Sequence, residues 1–322
     1  MSTQGATPSA GRRLRELIAR PEPLLVGGCY DGLSAAVLQN AGFPALFLSG
    51  AGVSASAVGL PDLGLVAMDE LVSVARRVVA QSSVPVLVDA DTGFGNELNV
   101  TRTVRELGDA GVAAIMLEDQ VSPKRCGHLA GKSVVDRDTF ARRIAAAALA
   151  RGDSDVMIIA RTDALAIHGM DEALARMVDA VDYGADLTFI EAPTTVSDIR
   201  RIGSESAGIP IFGLAGGKVP SLPAAELAEL GFPVISFPGV AMMPMISEVT
   251  AAARAVLASG THAPLDDYRM VPRDIFEAVG LSEWLALEER LGGDLEQLRD
   301  AVRRSGASRS RGGEAGGEYR SH

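Results

Sequence analysis

Eight short runs rich in apolar and β-branched residues recur along the 322-residue chain, each followed by a longer stretch with helical apolar spacing. That alternation predicts an α/β protein of repeated βα units on a parallel sheet, and eight such units close into a (β/α)8 barrel. A repeated ending supports the division. Gly42, Gly111, Gly184 and Gly231 each stand after a helical stretch and before the next apolar run, where a left-handed C-cap is wanted. A doubly wound open sheet is the alternative, and a strand count of eight favours it less.

After an N-terminal lead-in, the strands are expected at 24–29, 45–49, 85–89, 113–118, 156–160, 187–191, 210–214 and 234–237. Amphipathic helices fill 31–41, 68–81, 97–110, 137–151, 171–183 and 224–230 between them. Residues 266–304 read as further helices around Trp284, with an apolar period that a closed barrel does not require. The organisation is then a barrel domain at 1–260, a helical extension at 261–304 and a disordered Gly/Ser/Arg-rich tail at 305–322.

Composition narrows the class. With 47% hydrophobic and 22% charged residues, the chain lies outside the disordered range. The net charge of −11 is uneven: residues 1–20 hold four Arg against one Glu, and residues 303–322 five Arg against two Glu. The body between is acidic, which argues against a nucleic-acid surface. An anionic small molecule stays open, because a local cation or metal ion suffices to bind it. No apolar run reaches the length of a membrane span, and the start lacks a signal segment. Cys29 and Cys126 make no disulfide framework. A cytoplasmic protein is the expectation.

In a barrel of this kind the site lies at the C-terminal ends of the strands. There the sequence places Ser49, Gly50 and Ala51 after the second run, Asp89 and Asp91 after the third, Glu118 after the fourth, Arg161 and Asp163 after the fifth and Glu191 after the sixth. Crowded carboxylates repel one another and raise each other's pKa. A divalent cation resolves this, and oxygen ligands without a His cluster point to Mg²⁺ or Mn²⁺, with Asp89, Asp91 and Glu118 as the metal set. Helix capping or pairing with Arg is the other use for each of these acids. Ser49, Gly50 and Ala51 offer backbone N–H groups and a hydroxyl suited to a carboxylate or phosphate.

The sharpest local signal is the polar loop after the fourth run. Lys124, Arg125 and His128 around Cys126 would favour its thiolate and make it a proton donor or acceptor near neutral pH. Arg161 would bind a carboxylate or steady an enolate oxygen; ion pairing with Glu191 or Asp163 is compatible with either. Cys29, His168, His262 and the methionines at 242, 243 and 245 read as packing or surface residues.

DADTGFGN (89–96), LEDQVSPKRCGHLAGK (117–132), ARTDA (160–164), YDGLSA (30–35) and GLPDLG (59–64) resemble the isocitrate lyase/phosphoenolpyruvate mutase superfamily, from about residue 14 to about residue 290. KRCGHxxGK resembles its carbon–carbon lyase branches in particular. The resemblance implies a Mg²⁺-dependent barrel acting on α-oxyacids, with Asp89, Asp91 and Glu118 at the metal. Ser49, Gly50, Ala51, Asp62, Gly127, Arg161 and Glu191 would contact substrate. Lys124, Cys126, His128 and Arg161 would be catalytic, Cys126 protonating the enolate carbon from a loop that closes over the site. It also implies a homo-oligomer, dimer or tetramer, that exchanges C-terminal helices between subunits.

Two segments depart from the pattern. Where these lyases carry a stretch like ANxxExGxTP, residues 212–220 are shorter and lack both Asn and Glu; where 2-methylisocitrate lyases carry an Arg after strand eight, residues 239–243 are Gly-Val-Ala-Met-Met. Both remove polar groups that would read a tricarboxylate. The expected activity is therefore cleavage of a C–C bond in a smaller 2-hydroxy or 2-oxo dicarboxylate, a substituted malate or oxaloacetate, to pyruvate or a similar keto acid. A phosphonomutase of the carboxyphosphonoenolpyruvate type, 2-methylisocitrate lyase and a non-catalytic barrel that binds metal and acid are the alternatives. No nucleic acid or membrane partner is expected.

Overall fold

The computed structural model describes residues 8–214, 216 and 218–310. Its strands are β1 (Leu24–Cys29), β2 (Ala45–Leu48), β3 (Val86–Asp89), β4 (Ala114–Glu118), β5 (Met157–Thr162), β6 (Leu187–Ile190), β7 (Ile209–Gly213) and β8 (Val234–Phe237). They pair in sequence order, all parallel, and β8 returns to β1 to close the barrel. The expected fold is the observed one. The four glycines of the repeated helix endings all have positive φ, from 86° at Gly111 to 104° at Gly184, as a left-handed cap requires.

Why the strands read as continuous apolar runs follows from two separate cores. Leu46, Leu48, Val86, Val88, Ile115, Leu117, Ile158 and Ala160 join the helices in one buried cluster. Their alternate neighbours Phe47, Leu87, Met116, Ile159 and Phe189 form a second cluster with Leu24, Val26, Leu187, Ile211 and Val234, the interior of the barrel. Both faces of each strand are thus covered, the condition under which period-2 patterning disappears from a parallel sheet.

The same inner cluster includes Leu14 and Ile18, on the helix Ala10–Ile18, so this helix stoppers the N-terminal end of the barrel. It sits close: a Cβ on Gly11 would stand 1.9 Å from the Asp155 carbonyl oxygen. Arg15 fastens it, donating to Asp155 O at 2.6 Å and to Asp186 Oδ1 at 3.0 Å.

The chain divides into two compact units after Arg269. The first holds the barrel and the long helix Met242–Ser259 that follows β8; none of that helix's residues is buried. The second holds the helices Pro272–Glu277, Leu281–Leu291 and Leu295–Ser310. The expected disordered tail thus begins inside the last helix, and its residues 311–322 lie outside the described residues. Among the described residues no helix is long and apolar enough to cross a membrane.

Candidate active site

Two residues beyond each inward apolar residue, a strand again points into the barrel. Phe47 is followed in this way by Ser49, Leu87 by Asp89, Met116 by Glu118, Ile159 by Arg161 and Phe189 by Glu191. The alternation therefore brings a hydroxyl, three carboxylates and a guanidinium to the C-terminal mouth of the barrel, each two residues beyond an inward apolar side chain.

The turn after β3 adds a fourth acid. Asp91 adopts φ 48°, a left-handed conformation that Asp tolerates better than most residues. Its N–H donates to Asp89 Oδ1 at 3.2 Å, and its carbonyl accepts from Glu118 N at 2.8 Å. Ser49 caps the short helix Gly50–Val53, accepting from Gly52 N at 3.2 Å. A Cβ on Gly50 would stand 3.1 Å from Asp91 Oδ1 and 3.2 Å from Asp89 Oδ2, so both carboxylates converge on one spot beside bare backbone.

Two of the clustered acids are raised, but by burial first and by neighbouring acids only in lesser part. Glu118 is fully buried, and neither carboxylate oxygen has a hydrogen-bond partner; Arg161 Nε, 3.3 Å from Oε2, forms an ion pair without hydrogen-bond geometry. Burial pushes Glu118 well above the usual carboxylate range, with Arg161 opposing. Burial likewise lifts Asp91 to about 6, Lys124 pulling down and Asp89 up. The Lys124 ammonium lies 2.6 Å from Asp62 Oδ1 and 2.7 Å from Asp91 Oδ1. Burial works against that charge, but Asp91, Asp89 and Glu118 outweigh it and drive the Lys124 pKa up, so Lys124 is a fixed cation and not a base.

Among the described residues, no three His, Cys, Asp or Glu side chains converge as a direct metal-ligand set. Asp89, Asp91 and Glu118 are therefore not a closed cage. They do fit a hard cation that keeps part of its water, since Mg²⁺ is commonly held through one or two carboxylates with waters completing the octahedron. The orphaned oxygens of buried Glu118 and the convergence of Asp89 with Asp91 supply acceptors for such a shell.

Above the acids lies the loop after β4. An antiparallel bridge between Gln120 and Val134 closes its neck, and the Gln120 amide holds Arg125 from both sides, donating to its carbonyl at 2.8 Å and accepting from its N–H at 3.0 Å. Cys126 N donates to Asp62 O at 3.1 Å, and His128 Nε2 stands 3.3 Å from Glu191 Oε1. A Cβ on Gly127 would meet Arg161 Nη2 at 2.5 Å and Glu191 Cγ at 2.6 Å. Only glycine lets the loop rest on that pair. Arg161 itself contacts Asp163 at 3.1 Å and Glu191 at 3.4 Å, and it lies over the Phe189 ring at 5.9 Å.

The expectation of a Cys126 thiolate is corrected here. Burial dominates and raises the thiol above its ordinary 9.0, with the His128 backbone N–H and Arg161 opposing and Asp62 and Glu191 adding to the rise. Lys124 is turned to the acids and His128 to Glu191, so neither neutralises a thiolate. The setting thus favours the protonated thiol over the thiolate.

A cavity of about 210 Å³ opens between loop and floor. Ser49, Ala51, Asp62, Asp89, Cys126, Gly127, His128, Arg161 and Glu191 line it, whereas Gly50, Asp91, Glu118 and Lys124 stand behind its wall. Phe47, Met116 and Phe189 form its floor, and Gly213, Ser236, Pro238, Gly239, Met242 and Met243 complete the lining without a charged group. Met242 and Met243, read from the sequence as packing or surface residues, are cavity wall. Period-2 counting back from Ser49, Glu118 and Glu191 finds the floor residues Phe47, Met116 and Phe189; no local signal marks Met242 and Met243.

A closed barrel with acids, an arginine and a cysteine loop at its mouth defines a catalyst for small oxyacids. The chain belongs to the family described as phosphoenolpyruvate phosphomutase, whose profile matches residues 14–257, within the isocitrate lyase/phosphoenolpyruvate mutase superfamily. It is 43% identical to 2,3-dimethylmalate lyase of Eubacterium barkeri over 70% of this chain and 78% of that protein. A crystal structure of 2,3-dimethylmalate lyase superposes with a TM-score of 0.84 at 39% identity, covering 89% of this chain and 97% of the other. Oxaloacetate acetylhydrolase in complex with 3,3-difluorooxalacetate superposes with a TM-score of 0.84 at 32% identity, over 89% and 98%. Phosphonopyruvate hydrolase, solved with oxalate and Mg²⁺, gives 0.79 at 26% identity, over 88% and 99%.

Proposed function

We propose that this protein is a Mg²⁺-dependent lyase that cleaves the C2–C3 bond of a small 2-hydroxy or 2-oxo dicarboxylate, a substituted malate or oxaloacetate, through an enolate. The observation that carries the reading is the two-sided cavity: acids, Arg161 and Cys126 on one wall, and an uncharged wall of Pro238, Met242 and Met243 facing them. The charged wall suits the α-oxyacid end. The apolar wall suits an alkyl substituent and offers no cation for a third carboxylate, which disfavours 2-methylisocitrate.

A bound Mg²⁺, or Mn²⁺ in its place, supplies positive charge that offsets the carboxylate and α-oxygen of the substrate. The chain's own groups do the rest. Asp62, Asp89 and Glu191 line the cavity and are the groups in reach to accept the hydroxyl proton of a malate. As the C2 oxygen becomes a carbonyl, the C2–C3 bond breaks and its electron pair passes to C3 as the enolate of the departing acid. Arg161, desolvated at 8% exposure, steadies that charge. The Cys126 thiol then protonates C3. A 2-methylmalate would give pyruvate and a saturated carboxylate. Oxaloacetate lacks the hydroxyl and needs water to give oxalate and acetate.

The uncovered helix Met242–Ser259, with Ile246, Val249 and Leu257 exposed, supports a homo-oligomer, dimer or tetramer with C-terminal helices exchanged. Two free cysteines are consistent with the cytoplasm. The activity test is incubation with Mg²⁺ and 2-methylmalate, 2,3-dimethylmalate, oxaloacetate, 2-methylisocitrate and carboxyphosphonoenolpyruvate, read by keto-acid detection and ³¹P spectra. Pyruvate from the alkylated malates, abolished by a chelator, is the expected result. Turnover confined to 2-methylisocitrate or to the phosphonate would overturn it.

A further inference from the structure

Of the three cations the loop's KRCGHLAGK segment carries, Lys132 has a place that the chemistry above leaves unused. Its side chain is 5% exposed, yet neither Lys132 nor Asp163 lines the cavity. The ammonium donates to Asp163 Oδ1 at 2.7 Å and to the carbonyl of Gly127. Asp163, fully buried, accepts on its other oxygen from Arg161 Nε at 3.1 Å, and its N–H donates to Asp119 Oδ1 at 2.9 Å. One carboxylate, anchored in the barrel, thus holds the loop's lysine on Oδ1 and the guanidinium of the site on both oxygens, Arg161 Nη2 reaching Oδ1 at 3.4 Å.

We propose that Lys132 and Asp163 are a positioning pair that latches the Cys126 loop onto the barrel and ties its closure to the orientation of Arg161. The geometry carries this in three steps. Lys132 bonds to Gly127, the residue next to Cys126 and the one that rests on Arg161 and Glu191, so moving its ammonium moves the part of the loop that covers the cavity. The loop's other side-chain anchors, Lys124 and His128, face the acid cluster and Glu191 and are committed to the site itself. Asp163 cannot release Lys132 without leaving a buried carboxylate with one cation fewer, which makes the closed position the favoured one. Closure and the pose of Arg161 are then a single event, because both end on the same carboxylate.

The proposal rests on the catalytic reading of Cys126 and Arg161, and its test separates the two because its first readout needs no substrate. The chain has two cysteines, and Cys29 is fully buried with its thiol pushed up to about 12 by burial, so alkylation by iodoacetamide reports on Cys126. Loop opening uncovers that thiol and removes the burial that keeps it protonated. Losing hydrogen bonds to a charged group is expected to raise the alkylation rate of Lys132→Gln by about tenfold or more over the wild type. Lys132→Arg keeps the charge and returns the rate most of the way. On the substrate found active above, Lys132→Gln lowers kcat more than it raises KM, and Lys132→Arg recovers it.

An unchanged Cys126 alkylation rate in Lys132→Gln overturns the latch, whatever the enzyme turns over. Faster alkylation of Cys29 along with Cys126 also overturns it, since that is loosening of the whole barrel. If Lys132→Gln does not fold, Asp163→Asn removes the same charge pair from the barrel side, and the same alkylation outcomes decide.

Discussion

Cys126→Ala is expected to lower kcat by about 10²–10⁴, the range for a general acid removed from a positioned site, while KM stays within a few-fold. The thiol lines the cavity on the loop whose backbone meets Asp62; on the proposed reading it would serve the carbon end of a bound acid and contribute little to holding the oxygens. The pH profile carries the sign. The acid form is the working form, and burial has raised the thiol above 9.0, so turnover persists through neutrality and is lost as pH rises through that elevated value. Cys126→Ala lacks this alkaline limb. Cys126→Ser, with a far weaker acid, behaves like the alanine variant; full turnover in the serine enzyme would mean that the proton comes from elsewhere.

The second large effect is on folding. Asp119 is fully buried and accepts from the Thr162 hydroxyl, from Asp163 N and from Arg176 Nη1 at 3.1 Å. Arg176, 4% exposed, also donates to Val135 O at 2.8 Å and to Glu172 at 2.9 Å. Arg176→Met strands a buried carboxylate and is expected to cost about 3–5 kcal/mol. Burial already raises Asp119 above 3.8, with Thr162, the Asp163 N–H and Arg176 opposing, and the variant raises it further. A folded state that binds the proton more tightly than the unfolded one gains stability as pH falls. The deficit relative to wild type is therefore largest at about pH 8 and shrinks towards about pH 5 in urea titrations. A deficit below about 1 kcal/mol at the higher pH would show that Asp119 is satisfied without its arginine.

These two residues mark the boundary of what the sequence discloses. Cys126 was legible because a polar loop after an apolar run is a local signal, and Asp89, Glu118, Arg161 and Glu191 because strand ends are where a barrel presents its chemistry. The strands were legible for a related reason: with both faces buried they are unbroken apolar runs. Partnerships were not. Nothing near Asp119 in sequence points to Arg176, and nothing near Lys132 to Asp163, since each pair spans different βα units and only closure of the barrel brings them together. The state of Cys126 was misread for the same reason. Neighbours in sequence suggested a thiolate, and burial plus the actual facing of Lys124 and His128 made it a thiol. Met242 and Met243 read as packing or surface residues in the sequence because a methionine's role depends on what stands opposite it.

The helix Ala10–Ile18, pressed into the lower end of the barrel through Leu14 and Ile18, makes the cavity a blind alley. Among the described residues the way in then lies on the side of the strand C-termini, where the Cys126 loop stands over the cavity. On the proposed reading substrate enters and both fragments leave past that loop, so its opening would cap turnover whatever the speed of the bond-breaking step. On that reading the fragment nearer the mouth would leave before the other.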